Sequence, residues 1–141
     1  VLNNQAMMLP VVSKAMSEFH AAMVELGVQN EVTTFTTSDF ARTLTSNGRG
    51  SDHAWGGVQM VMGGAVRGQD MYGTYPALQA GNSLDTGRGR LIPTLSVDEY
   101  FAELACWFGV SNTDLQTVLP NLTRFYNPQS SQPPVGFMTI S

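Results

Sequence analysis

Three residues in one short stretch carry side chains suited to divalent-ion chemistry: Asp39, Asp52 and His53. Two carboxylates and an imidazole are hard-to-borderline donors that suit zinc or a similar ion. A second set, Arg88 and Arg90, alternates with Gly87 and Gly89, and guanidinium groups hold anionic substrates bidentately. Both sets also have plain readings. Asp39 can cap a turn, Asp52 can close an Asx-turn and His53 can pack beside Trp55, while the two arginines can lie on a solvated turn, where loop charges normally sit.

For Asp39, Asp52 and His53 to meet, the chain between them must fold back. Residues 32–37, Val-Thr-Thr-Phe-Thr-Thr, are β-branched and aromatic and read as a strand. A strand ending at Ser38 delivers Asp39 to the carboxyl edge of a sheet, where open α/β sheets bind ligands. Residues 47–51, Asn-Gly-Arg-Gly-Ser, are turn-formers, so Asp52 and His53 are expected on a loop that returns over the strand end. Upstream, Leu9, Val12, Met16, Phe19, Met23 and Leu26 fall three or four apart, one face of an α-helix with Pro10 in its first turn and Gly27 at its end. That helix would be roughly 27 Å long. Burying the six side chains against a sheet would contribute on the order of 10 kcal/mol before entropy. Helix, turn and strand make an α-then-β unit of a three-layer α/β fold.

The blocks TFTTSDFARTLTSNGRGSDHAWGG, VMGGAVRG, GRGRLIPTLSVDEYFAELACWFGV and LPNL resemble the C-terminal part of a bacterial family known only as domain of unknown function 1501. The likeness runs from about Leu9 to about Phe125. That family is similar to the alkaline phosphatase and sulfatase superfamily, so the resemblance implies part of an α/β/α sandwich with long loops at the strand ends. It also implies an exported bacterial protein that hydrolyses phosphate or sulfate esters with a divalent metal, zinc being one candidate. Asp39 matches the superfamily's metal-binding Asp late in the chain, and His53 matches its later metal-binding His. Phe40 stands where the superfamily has a second His, a loss for which Asp52 is a substitute donor. The superfamily's nucleophile lies earlier than the part matched, so no catalytic residue is expected in this chain. The alternative is an inactive member of the same fold that serves as a binding or assembly module.

Composition narrows the rest. The chain has 141 residues, 43% hydrophobic and only 13% charged, enough for one core and about half the usual charged content. The expected organisation is one α/β domain over 1–126 and an extended tail over 127–141. Low charge suggests a surface covered by the remainder of its own polypeptide or by an oligomer partner, and a first residue of Val1 suggests a processed or truncated chain. A net charge of -4 argues against a nucleic-acid partner. No apolar run approaches the roughly 20 residues that span a bilayer. Cys106 is alone and reads as packing, and His20 reads as a helix-flank residue. Gly63-Gly64-Ala65-Val66-Arg67-Gly68 lacks the spacing of a phosphate loop, so its glycines read as turns that end a short strand over 58–62 and lead into a hairpin arm. Ser96 and Glu99 form a capping box that opens a helix closed by Gly109, and Ser111 opens a shorter one.

Overall fold

The computed structural model describes residues 2–140. In chain order it contains helix α1 (Leu2–Glu25), strands β1 (Thr33–Phe35), β2 (Ala41–Ser46), β3 (Ser51–Ala54) and β4 (Val61–Gly63), and helices α2 (Val97–Trp107) and α3 (Leu115–Val118). A single 3-10 turn follows at Leu122–Arg124. The protein is therefore mixed α/β. Two compact units share the chain, one formed by Val1–Ala65 with Pro76–Ile92 and the other by Val66–Tyr75 with Pro93–Ser141.

In the first unit, α1 begins seven residues before the expected start. Asn, Gln, Ala, Met and Leu at positions 2–9 are compatible with helix and extend it backwards. Pro10 thus lies in the interior, where it forgoes one backbone hydrogen bond. The helix ends at Gly27, which takes φ 74°. Gly27 N–H donates to Val24 and Val28 N–H to Met23, both at 3.0 Å, the Schellman pattern that a left-handed residue permits. The expected burial of its apolar face is only partial: Met16 and Met23 are half-buried. Leu9 is 59% exposed, Phe19 45% and Leu26 69%, so much of the roughly 10 kcal/mol of burial energy is not collected. No helix among the described residues is long and apolar enough to cross a membrane.

The strands pair as two antiparallel ribbons, β1 with β4 and β2 with β3. This differs from the carboxyl edge of an open sheet expected for the segment before Asp39. β1 is brought to β4 by two glycines. A Cβ on Gly63 would lie 2.6 Å from the Val32 carbonyl oxygen, and one on Gly64 would lie 2.8 Å from that of Gln29, to which Gly64 N–H donates at 2.7 Å. These glycines therefore permit close backbone approach, and Gly64 also opens the turn that follows β4, as expected. The expected hairpin arm after them is replaced by an isolated bridge between Val66 and Met138.

The second unit is built on α2. Its capping box is present as read: Glu99 N–H donates to Ser96 Oγ at 3.1 Å, and Ser96 N–H donates to Glu99 Oε2 at 2.8 Å. Ala102, Leu115 and Leu122 are fully buried, with Ala105, Cys106, Val110, Leu119 and Tyr126 around them. Burial and the nearby Glu103 push the Cys106 thiol above its ordinary pKa, which disfavours the thiolate needed for nucleophilic chemistry. The segment 127–140 has no helix or strand beyond its single bridge. Its Phe137 and Met138 are nevertheless buried, and residues 135–138 dock on α2. Glu103, with no exposed surface, accepts Val135 N–H at 3.0 Å on one carboxyl oxygen and Met138 N–H at 2.9 Å on the other.

The Met138 amide is buried and the Val135 amide partly so, and removing the carboxyl group leaves both without their acceptor. Glu103→Ala is expected to destabilise the protein by about 3 kcal/mol, and Glu103→Gln, which keeps one acceptor, by about half as much. Chemical denaturation of the two variants checks both the size and the order of the effects.

Candidate functional site

The stretch between Asp39 and His53 is a β-hairpin where a loop was expected. Thr43, Leu44 and Thr45 favour a strand, and Asn47 makes the turn. Its Oδ1 accepts the amides of Arg49 at 3.0 Å and Gly50 at 2.8 Å, while Asn47 N–H donates to the Gly50 carbonyl. Gly48 supplies the positive φ of 88° that a turn of this kind requires. β2 and β3 then pair with Arg42 opposite His53 and Ser46 opposite Ser51. Asp52 and His53 consequently sit side by side on β3 and point to opposite faces.

That alternation separates the candidate donors. His53 is exposed and stacks on Phe40, ring centroids 3.8 Å apart and 14° from parallel. The Arg42 guanidinium lies 5.2 Å from the centroid of the same Phe40 ring. Phe40 thus packs against the imidazole of His53 on one side and lies within reach of the Arg42 guanidinium. Asp39 is exposed in the short link between the two ribbons. Both oxygens of Asp52 are taken: Asn47 Nδ2 donates to Oδ1 at 2.7 Å and Arg88 Nη1 to Oδ2 at 2.6 Å. Those two hydrogen bonds, the Asn47 one first, hold the Asp52 carboxyl below its usual pKa, and Arg90 adds to the effect through its charge. Among the described residues, no three His, Cys, Asp or Glu side chains gather where an ion could bind. As arranged here, Asp39, Asp52 and His53 do not fit a shared metal ion.

The structure instead joins the two sets of sequence candidates through Asp52 and Arg88. The Arg88 loop is fastened to the hairpin along its backbone. Leu44 N–H donates to the Gly89 carbonyl at 3.1 Å, and Thr45 Oγ1 donates to the Arg88 carbonyl at 2.8 Å. Gly89 is buried so tightly that a Cβ would lie 2.4 Å from that of Leu44. Arg88 itself takes φ 62°, a left-handed conformation that costs a residue with a Cβ about 1–2 kcal/mol.

Asp85 makes this conformation tenable. Its carboxylate accepts Gly81 N–H at 2.7 Å, Gly87 N–H at 2.8 Å and Gly89 N–H at 2.9 Å. These bonds, Gly81's foremost, hold its pKa below the ordinary range. Neither Asp85 nor Asn47 stands out by charge or motif. The Asp-x-Gly-x-Gly spacing of residues 85–89 was the available signal, since it lets one carboxylate reach amides two and four residues on. Arg42, too, becomes a site residue only through its register with His53.

A family model described as "Protein of unknown function (DUF1501)" matches residues 2–87, more than half of the chain. No curated protein and no solved structure matches. The matched span includes the whole hairpin and ends at the start of the arginine loop.

Two outcomes follow from the Asp85 cradle. Gly89→Ala places a side chain on backbone already at φ 72° and against Leu44, and should destabilise the protein by about 2 kcal/mol or more, measurable by thermal or chemical unfolding. Because the folded pKa of Asp85 lies below the ordinary value, its contribution is complete above about pH 4 and is lost as pH falls through the folded pKa. The Gly87 and Gly89 amide resonances should therefore titrate with a midpoint below about 3.9, and a midpoint at or above that value would contradict the cradle.

Proposed function

The chain belongs to the DUF1501 family, and from that membership we propose that it is the C-terminal portion of an alkaline-phosphatase-like α/β protein, acting as a binding module for an anionic small molecule. The observation that carries this reading is where the positive charge lies. Arg42, Arg49, Arg88 and Arg90 are four of the seven Lys and Arg residues in a chain of net charge -4, and all four stand on the hairpin or the loop fastened to it. A phosphate, sulfate or carboxylate group is the natural complement of guanidinium forks held on a rigid backbone. In this reading the exposed face of α1 packs in the outer layer of a three-layer sandwich whose sheet comes from sequence outside this chain.

The competing reading is a metal-dependent hydrolase of phosphate or sulfate esters, with the ion on Asp39 and His53 and the nucleophile supplied from outside this chain. It is less favoured because the third candidate donor, Asp52, is committed to Asn47 and Arg88 and Phe40 occupies the position of a fourth. Fold-level likeness does not by itself carry catalysis.

The two readings separate on the full-length protein. Binding of inorganic phosphate, followed by calorimetry, is expected to weaken at least tenfold in Arg88→Ala or Arg90→Ala and to change less than twofold after chelation. Loss of binding on chelation, with bound metal at least tenfold lower in Asp39→Ala and His53→Ala, would instead establish the hydrolase reading.

A further inference from the structure

We propose that Asp52 is a built-in competitor for the anion, holding the Arg88 guanidinium until a tetrahedral oxyanion, phosphate or sulfate, displaces it. The inference rests on the anion-binding reading above and adds to it a residue and a mode of control.

Four features of the hairpin face support it. Arg88 is positioned without Asp52. Its carbonyl is held by Thr45 and the amides on either side of it by Asp85, so the side chain projects from the same place whether or not Asp52 is bound. The contact between the two is also accessible, with side-chain exposures of 46% for Arg88 and 36% for Asp52. An ion pair in that setting favours the closed form only by a factor of up to about five, which an incoming dianion with more than one acceptor oxygen can overcome.

Release of Asp52 needs no refolding. Its Oδ1 keeps the bond from Asn47 Nδ2 at 2.7 Å, and its backbone N–H keeps its bond to Thr43 Oγ1 at 3.1 Å. Finally, a positive neighbour stands ready. Arg90 lies near enough for its charge to act on the Asp52 carboxyl, and its Nη1 donates only a long 3.3 Å bond to the Gly87 carbonyl. Displacement of Asp52 therefore gives the oxyanion one guanidinium directly and the field of another. A strained, non-glycine φ at the residue whose side chain makes the contact fits a site in which that residue's placement is fixed in advance.

The test is titration of the full-length protein with inorganic phosphate and with sulfate, followed by calorimetry and by the Arg side-chain NMR signals, in the parent, Asp52→Asn, Asp39→Asn and Arg88→Ala. Asp52→Asn should bind about fivefold more tightly, Asp39→Asn within twofold of the parent, and Arg88→Ala should lose binding. Asp52→Ser guards against a fold-specific failure of the first variant and should show the same gain, with circular dichroism confirming that each is folded. Equal affinity in folded Asp52→Asn, Asp52→Ser and parent, with binding still lost in Arg88→Ala, overturns the competitor and leaves the anion-binding reading standing. The same gain in Asp39→Asn as in Asp52→Asn also overturns it, because any lost negative charge would then suffice. Parent-like binding in Arg88→Ala removes both.

Discussion

The carboxylate of Asp85 closing on three glycine amides is the interaction on which the hairpin face depends. Without it, three consecutive residues at positive φ, one of them Arg88, would have no reason to stay there. With it, the loop lies flat enough for β2 to bond its carbonyls, and the absence of a Cβ at Gly89 lets the two backbones touch. The position of Arg88 relative to Asp52 is set by these main-chain contacts. A weak, exposed ion pair is therefore found at a defined place without having to create that place.

The same economy governs the second unit. Glu103 is an acidic residue on a helix that otherwise buries alanine and leucine, and a lone carboxyl group there would be costly. Two amides from residues 135 and 138, one to each oxygen, make the position favourable and tie an irregular segment to α2. Side chains that accept from the backbone thus take over work that ladders of strand hydrogen bonds do elsewhere, which suits a fold with two short ribbons among the described residues.

Much of the local structure was legible in the residues. Ser96 and Glu99 announced the start of α2, Gly27 and Gly109 the ends of α1 and α2, and residues 33–35 and 61–62 their strand character, because each of these signals acts within a few positions. What was not legible depended on contacts far apart in sequence. The hairpin over 41–54 was hidden because Asn47-Gly48-Arg49-Gly50 reads equally as a loop or as a turn, and only pairing of Arg42 with His53 decides between them. Alternation along β3 then placed Asp52 and His53 on opposite faces, which proximity in sequence disguised. Gly63 and Gly64 looked like punctuation, yet what they permit is the approach of residues 29–32. The donor Asp52 and the anion holder Arg88 were read as belonging to different chemistries. Their pairing spans 36 positions, and no local pattern encodes it.

Helix α1 also bears on how this chain reaches its native state. A helix with its apolar face open to water has little beyond its own hydrogen bonds to resist fraying, and an interior proline removes one of those. Its amides are therefore expected to exchange with solvent sooner than those of the α2 core. Leu9, Phe19 and Leu26 on its face are the kind of exposed apolar stretch that chaperones hold and that aggregation exploits.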